Sequence, residues 1–373
     1  MDRHRNQTDC KKGKVMKVLL RECFFTDKES TLVEAGELKA TLFTYSTGVK
    51  AVKISNAKGS ATVLPFMGQA VWRCDFLGRE LTMKSIYDEP QMCSEYGHTY
   101  GFFIMHCGLT AMGNPTAADT HPGHGELPLA KYHKAWIETG VDEKGAWISV
   151  GGVYSHLRCF EVNYAFSPTL KLRAGATSLE IDVEFTNRKD LPLEYYYLCH
   201  VNHLPVDGSK LLYTADPKTA IINCEVPDGY RKDWADATNS WLEKMKRNPA
   251  CGDVVGAKGE SYKPEIVNCF MHHAAKDGWA YTMQLCPDGT AVYVKHDPKQ
   301  LPYGTRWIAR TVDEDALGMC LPATAEHKGR LYCQAHGQQR ILKTGKTVKF
   351  HMETGLLDKA GARAMKRLIA ERP

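Results

Sequence analysis

Apolar and polar residues alternate at period two along much of this chain. Across Ser178–Phe185, Leu179, Ile181, Val183 and Phe185 fall on one side and Glu180, Asp182 and Glu184 on the other, the pattern of an antiparallel strand with one face buried and one wet. Short stretches of the same kind recur at 36–45, 48–56, 60–66, 70–81, 146–154, 169–176, 193–203, 280–285, 290–297, 305–311 and 347–357. Glycine-bearing turns such as Leu77-Gly78-Arg79 and Asp288-Gly289-Thr290 separate several of them. Helical spacing is confined to 233–248, where Trp234, Ala237, Trp241 and Met245 share a face, and to the C-terminal 358–371. The expectation is an all-β, mainly antiparallel sandwich with few short helices, forming one domain over 15–373. A basic, flexible N-terminus is expected over 1–14.

A hydrophobic content of 43% over 373 residues is enough for a large core. The net charge of +5 is spread out, with no basic stripe carrying interleaved aromatics, so nucleic acid is not an expected partner. No apolar run reaches the length of a membrane span, and the start lacks the apolar core of a signal peptide. We therefore expect a cytoplasmic protein without a membrane partner, as monomer or homodimer. The thirteen cysteines include no C-x-x-C pair and lie within apolar segments. They read as reduced, mostly buried thiols.

Chemistry gathers in a few stretches. Asp119–Tyr132, "DTHPGHGELPLAKY", sets His124 and Glu126 two apart among glycines and prolines where apolar patterning lapses. Imidazole and carboxylate there could move protons, hold a metal or bind a sugar, against the plain alternative of a solvated loop. At the end of "LEYYYLCHVNH", His200 and Asn202 share one strand face and can open onto a cleft, or belong to the core. Met67–Gly78 offers Gln69, Trp72 and Arg73, a mixture suited to sugars, unless Trp72 is simply core. Arg306 or Arg310 could pair with a carboxylate, and Glu265, His272 and His273 form a weaker group, as do Asp88 and Glu89. The His-x-x-His-x-Glu spacing matches no common ligand set, and no Gly-rich phosphate or dinucleotide loop occurs. Neither metal nor cofactor is expected.

The stretches "VLPFMGQAVW", "DTHPGHGELP", "CHVNH" and "LPATAE" resemble those of the aldose 1-epimerase-like, galactose mutarotase-like superfamily, in an uncharacterised branch, over about Thr31 to Leu357. The resemblance implies a β-supersandwich with a sugar cleft. It implies that His124, in its "HG" motif, binds the sugar and that His200 is the general acid. It also implies a late-strand glutamate as base, but Met319, Cys320 and Leu321 occupy that region here. Glu326 lies beyond Pro322 and ranks lower.

The expected function is interconversion of the anomers of a monosaccharide or sugar acid by general acid/base catalysis. His200, Glu126 and Glu265 are the candidate catalytic residues, Glu126 being the preferred base. His124, Gln69, Arg73, Asn202, Arg306 and Trp72 are the candidate substrate contacts. The alternatives are a sugar isomerase, epimerase or lyase on the same fold, with or without a metal, and a non-catalytic carbohydrate-binding protein.

Overall fold

The computed structural model describes residues 15–222, 231–258 and 265–371, so the N-terminal segment 1–14 lies outside the described residues. Two antiparallel sheets form the body. In the nine-stranded sheet, Ser178–Asn187 pairs with Val162–Arg173 on one side and Thr347–Leu357 on the other, with Leu170 opposite Ile181 and Ile181 opposite Met352. Its alternating residues do what their sequence asks: Leu179, Ile181, Val183 and Phe185 are buried, while Glu180 meets Arg173 and Lys171 on the outer face.

The twelve-stranded sheet behaves differently because its middle strands are covered on both faces. From one edge inward it runs Ile266–Met271, Tyr303–Arg310, Asp315–Ala323, Leu193–Val201 and Ile104–Leu109 in spatial order. From Leu193–Val201, Tyr197, Cys199 and Val201 point into the core between the two sheets. Tyr196 and Leu198 point into a second apolar cluster, with Trp72, Phe102, Met105 and Leu321. The strands Ile104–Leu109 and Asp315–Ala323 are buried at every residue, so neither shows alternation, and periodicity cannot separate them from other apolar runs.

Both helical segments form, as Lys232–Arg247 and Lys359–Ala370. The first buries Thr238, Leu242 and Met245 and leaves Ala237 exposed. Its inner face is thus turned from the expected one, because Leu242 packs with Met245 in the main core while Trp241 is only partly buried at its edge. The C-terminal helix is capped by the Asp358 carboxylate, which accepts the Gly361 N–H. A short helix, Arg330–Ala335, was not expected. The described cysteines are all free, and most are buried. Among the described residues no helix is long and apolar enough to cross a membrane.

Candidate active site

On the face of the twelve-stranded sheet away from the main core, a cleft of about 450 Å³ is lined by His124, His200, His327, Glu265, Glu314, Tyr96, Tyr100, Trp307, Asn114 and Thr305, over a floor that includes Leu198 and Leu321. Period two selects its strand contributions. Leu198 and His200 come from one strand, and Thr305, Trp307 and Ala309 from another.

His200 is almost fully buried at its strand end. Its Nδ1 lies 2.7 Å from Asn202 Oδ1. The Asn202 amide donates to the Phe102 carbonyl at 3.0 Å, which turns Oδ1 toward the imidazole and makes Nδ1 the protonated nitrogen. Nε2 is left with a lone pair, 3.3 Å from the Tyr100 hydroxyl. Burial is the main cause that pushes the His200 pKa down to about 3, so the ring is neutral at physiological pH.

His124 enters from a strained turn. Its backbone has φ 60, and Gly125 follows at φ 78. A left-handed non-glycine residue costs on the order of 1–3 kcal/mol and persists only where the surroundings fix it. Here the His124 N–H donates to Gly113 O and its carbonyl accepts from Gly108 N. A Cβ on Gly125 would stand 2.2 Å from Ala111 O, so the "HG" pair admits only glycine at its second place. The ring is 5.5 Å from that of His200, edge to face. Burial lowers its pKa to about 4.

Glu265 stands just before the edge strand Ile266–Met271. Burial raises its pKa above the usual carboxylate value, while the Trp307 indole N–H, 2.5 Å away, pulls in the other direction. Trp307 also packs edge-on against His200, with ring centres 5.5 Å apart. One indole therefore connects the carboxylate to the imidazole, and it can offer an apolar surface to a sugar ring.

The cleft thus contains three of the expected residues, His124, His200 and Glu265, with Asn202 directly behind His200. The others lie elsewhere. The Glu126 carboxylate accepts from Thr110 N, Thr110 Oγ1 and the Tyr164 hydroxyl, and it lines a separate cavity of about 530 Å³ with His121, His156 and Arg158. At two residues from His124 it faces away because the chain reverses at the two left-handed residues, and the same-side geometry of an extended chain does not apply. Gln69 is buried, also left-handed, and donates to Pro65 O. Trp72 is fully buried in the second apolar cluster. Arg73 donates to the carbonyls of Trp72, Gly101 and Tyr87. Arg306 points to the opposite side of its strand, to Asp253 at 2.9 Å. Arg310 shares that side and pairs with Asp315 and Asp207. The two-pronged arginine grip expected for a sugar acid is therefore not in the cleft.

Among the weaker candidates, His272 packs between the sheets beside His296 and Cys320. His273 Nδ1 donates locally to Ala274 O, Glu89 accepts from Ser46, and Glu326 is buried against Gln338. Neither these nor Asp88 line the cleft. Sequence reading missed Tyr96, Tyr100, Trp307, Glu314 and His327. Trp307 carried a signal: if Arg306 and Arg310 share one strand face, Trp307 must occupy the other.

Comparison with solved structures identifies the architecture. A putative aldose 1-epimerase from Klebsiella pneumoniae superposes with a TM-score of 0.79 at 16% identity, covering 96% of this chain and 95% of that one. The chain has the galactose mutarotase-like fold. A galactose mutarotase-like protein from Clostridium acetobutylicum gives a TM-score of 0.57 at 11% identity over 87% of this chain and 100% of that one. A galactose 1-epimerase from Lactobacillus acidophilus gives 0.50 at 12% identity over 92% and 99%. In sequence, the model of a domain of unknown function, DUF4432, matches residues 46–224, and no curated protein matches. Among the described residues no group of three or more His, Cys, Asp or Glu side chains is arranged to hold a metal ion.

Proposed function

We propose that the protein interconverts the anomers of a monosaccharide by acid/base catalysis in the His200–Glu265 cleft. The observation that carries this reading is the single indole of Trp307 bonded to Glu265 and packed on His200, which sets two proton-transfer groups against one aromatic wall. The reaction needs one group to take the proton of the anomeric hydroxyl and another to protonate the ring oxygen. The open-chain aldehyde then rotates and recloses.

One proton shared between His200 and Glu265 suffices. Neutral His200, whose unprotonated Nε2 faces the Tyr100 hydroxyl, is set to receive the hydroxyl proton, and a protonated Glu265 gives its own to the ring oxygen. Reclosure to the other anomer runs through the imidazolium–carboxylate form and restores the start. The resemblance assigns His200 as the acid, whereas its depressed pKa and the Asn202 bond favour its acting first as the acceptor. His124, at 5.5 Å from His200 between ring centres, orients a sugar hydroxyl. Glu126 has no part in this step. NMR exchange spectroscopy over aldoses, ketoses and acid sugars tests the proposal: magnetisation transfer between anomers faster than in buffer supports it, and no acceleration for any sugar refutes it.

A further inference from the structure

The charge of the cleft is one-sided. Its described lining carries two acidic side chains, Glu314 and the Glu265 that the proposed reaction holds protonated, and no lysine or arginine. Three neighbouring cations are already engaged. Arg306 is held by Asp253 and Arg310 by Asp315 and Asp207. Lys258 reaches Asp315 and the Val312 carbonyl. The lining histidines are neutral, since burial holds His124 near 4 and His200 and His327 near 3. A concave site of this kind concentrates positive charge.

Glu314 is placed for it. Its backbone is fixed in a turn, with Thr311 N bonded to Glu314 O and Glu314 N to Thr311 Oγ1. Its carboxylate has no hydrogen-bond partner among the described residues. Burial, with Asp313 and Glu265 close by, raises its pKa, so an arriving cation would relieve a strained ionisation. The walls are aromatic: Tyr96 and Trp307 each stand edge-to-face with Tyr100, at 5.8 and 5.7 Å. A cleft lined by three aromatic rings and a carboxylate suits an ammonium group. An independent sign of a ligand is His124 Nδ1, which is buried on the cleft wall without a hydrogen-bond partner.

We infer that the cleft takes an aldose bearing a protonated amino group, the ammonium lying between Glu314 and the aromatic walls while the anomeric centre sits at His200 and Glu265. This rests on the sugar reading of the same cleft. A charge-assisted hydrogen bond in a partly buried site contributes enough to be read as a ratio of roughly 10-fold or more.

The experiment compares 2-amino-2-deoxyglucose and 2-amino-2-deoxygalactose with the parent hexoses and the N-acetyl derivatives, by NMR exchange after subtraction of the uncatalysed rate and by calorimetric binding. We expect kcat/KM and affinity at least about 10-fold higher for the amino sugars, and a ratio near one in Glu314→Gln. Equal values for amino, parent and N-acetyl sugars in the wild type overturn the inference and leave mutarotation standing. Persistence of the preference in a folded Glu314→Gln also overturns it. Tight binding of amino sugars without faster exchange would instead refute the catalytic reading and support this one. The wild-type comparison stands even if the variant does not fold.

Discussion

His200 Nδ1 donates to Asn202 Oδ1 at 2.7 Å, and that bond decides which imidazole nitrogen faces the cleft. Asn202 is in turn fixed by Phe102 O, so the orientation of the ring comes from the backbone through one amide. Replacing Asn202 by Leu should free the ring to rotate and lower kcat by about 10- to 100-fold through loss of positioning. His200→Asn should lower it by about 10²- to 10⁴-fold with little change in KM. A full kinetic comparison of the two variants checks both, and an Asn202→Leu enzyme with wild-type kcat would remove the positioning role.

Glu265→Gln should cost a similar 10²- to 10⁴-fold in kcat. Glu126→Gln should act on stability instead. Its carboxylate serves three donors, and an amide cannot accept all of them, so a loss of about 1–3 kcal/mol in denaturant unfolding is expected with most turnover retained. If Glu126→Gln abolishes exchange in a folded protein while Glu265→Gln does not, the assignment is reversed.

The pH profile should be bell-shaped, because the His200–Glu265 pair must hold one proton and not two or none. Trp307 N–H favours the charged form of Glu265. Trp307→Phe removes that donor, so the limb reporting Glu265 should move to higher pH. A limb that stays fixed or moves down would show that Trp307 does not tune the carboxylate.

Acid should unfold this protein early. Burial depresses His106 and His124 to about 4 and His200, His203, His296 and His327 to about 3. Below their unfolded value of about 6.5 the unfolded chain binds protons that the folded one refuses. Stability is therefore fully present above about pH 6.5 and is lost as pH falls toward the folded values, by up to about 1.4 kcal/mol per pH unit for each histidine. Denaturant midpoints measured from pH 8 to pH 5 should drop, and constant midpoints would mean that these rings titrate normally.

Gly125→Ala places a methyl 2.2 Å from Ala111 O and 2.5 Å from Gly108 O at a left-handed residue. Backbone must move, and His124 with it. A loss of several kcal/mol in stability and a raised KM in whatever folds are expected, and a thermal melt unchanged from wild type would count against the turn as drawn.

Alternation alone settles the strands that meet water on one side. Leu179, Ile181, Val183 and Phe185 could face only the core once Glu180, Asp182 and Glu184 faced out, and the likeness of "HPGHGELP" and "CHVNH" to known motifs supplied the architecture and put His124 and His200 forward. Tertiary structure decided the rest, for three physical reasons. Strands buried on both faces, such as Asp315–Ala323, carry no alternation to read. Local spacing placed Glu126 beside His124, but two consecutive left-handed residues turn its carboxylate toward Thr110 and Tyr164. Arg73 and Arg306 offer the same donors to a carbonyl or an aspartate as to a sugar, and which they meet depends on the strand face and on chain far away in sequence. Glu265 shares a cleft with His200 only because the strand that follows it pairs with Tyr303–Arg310, bringing Trp307 against both, an arrangement that rests on the register of Val267 against Trp307.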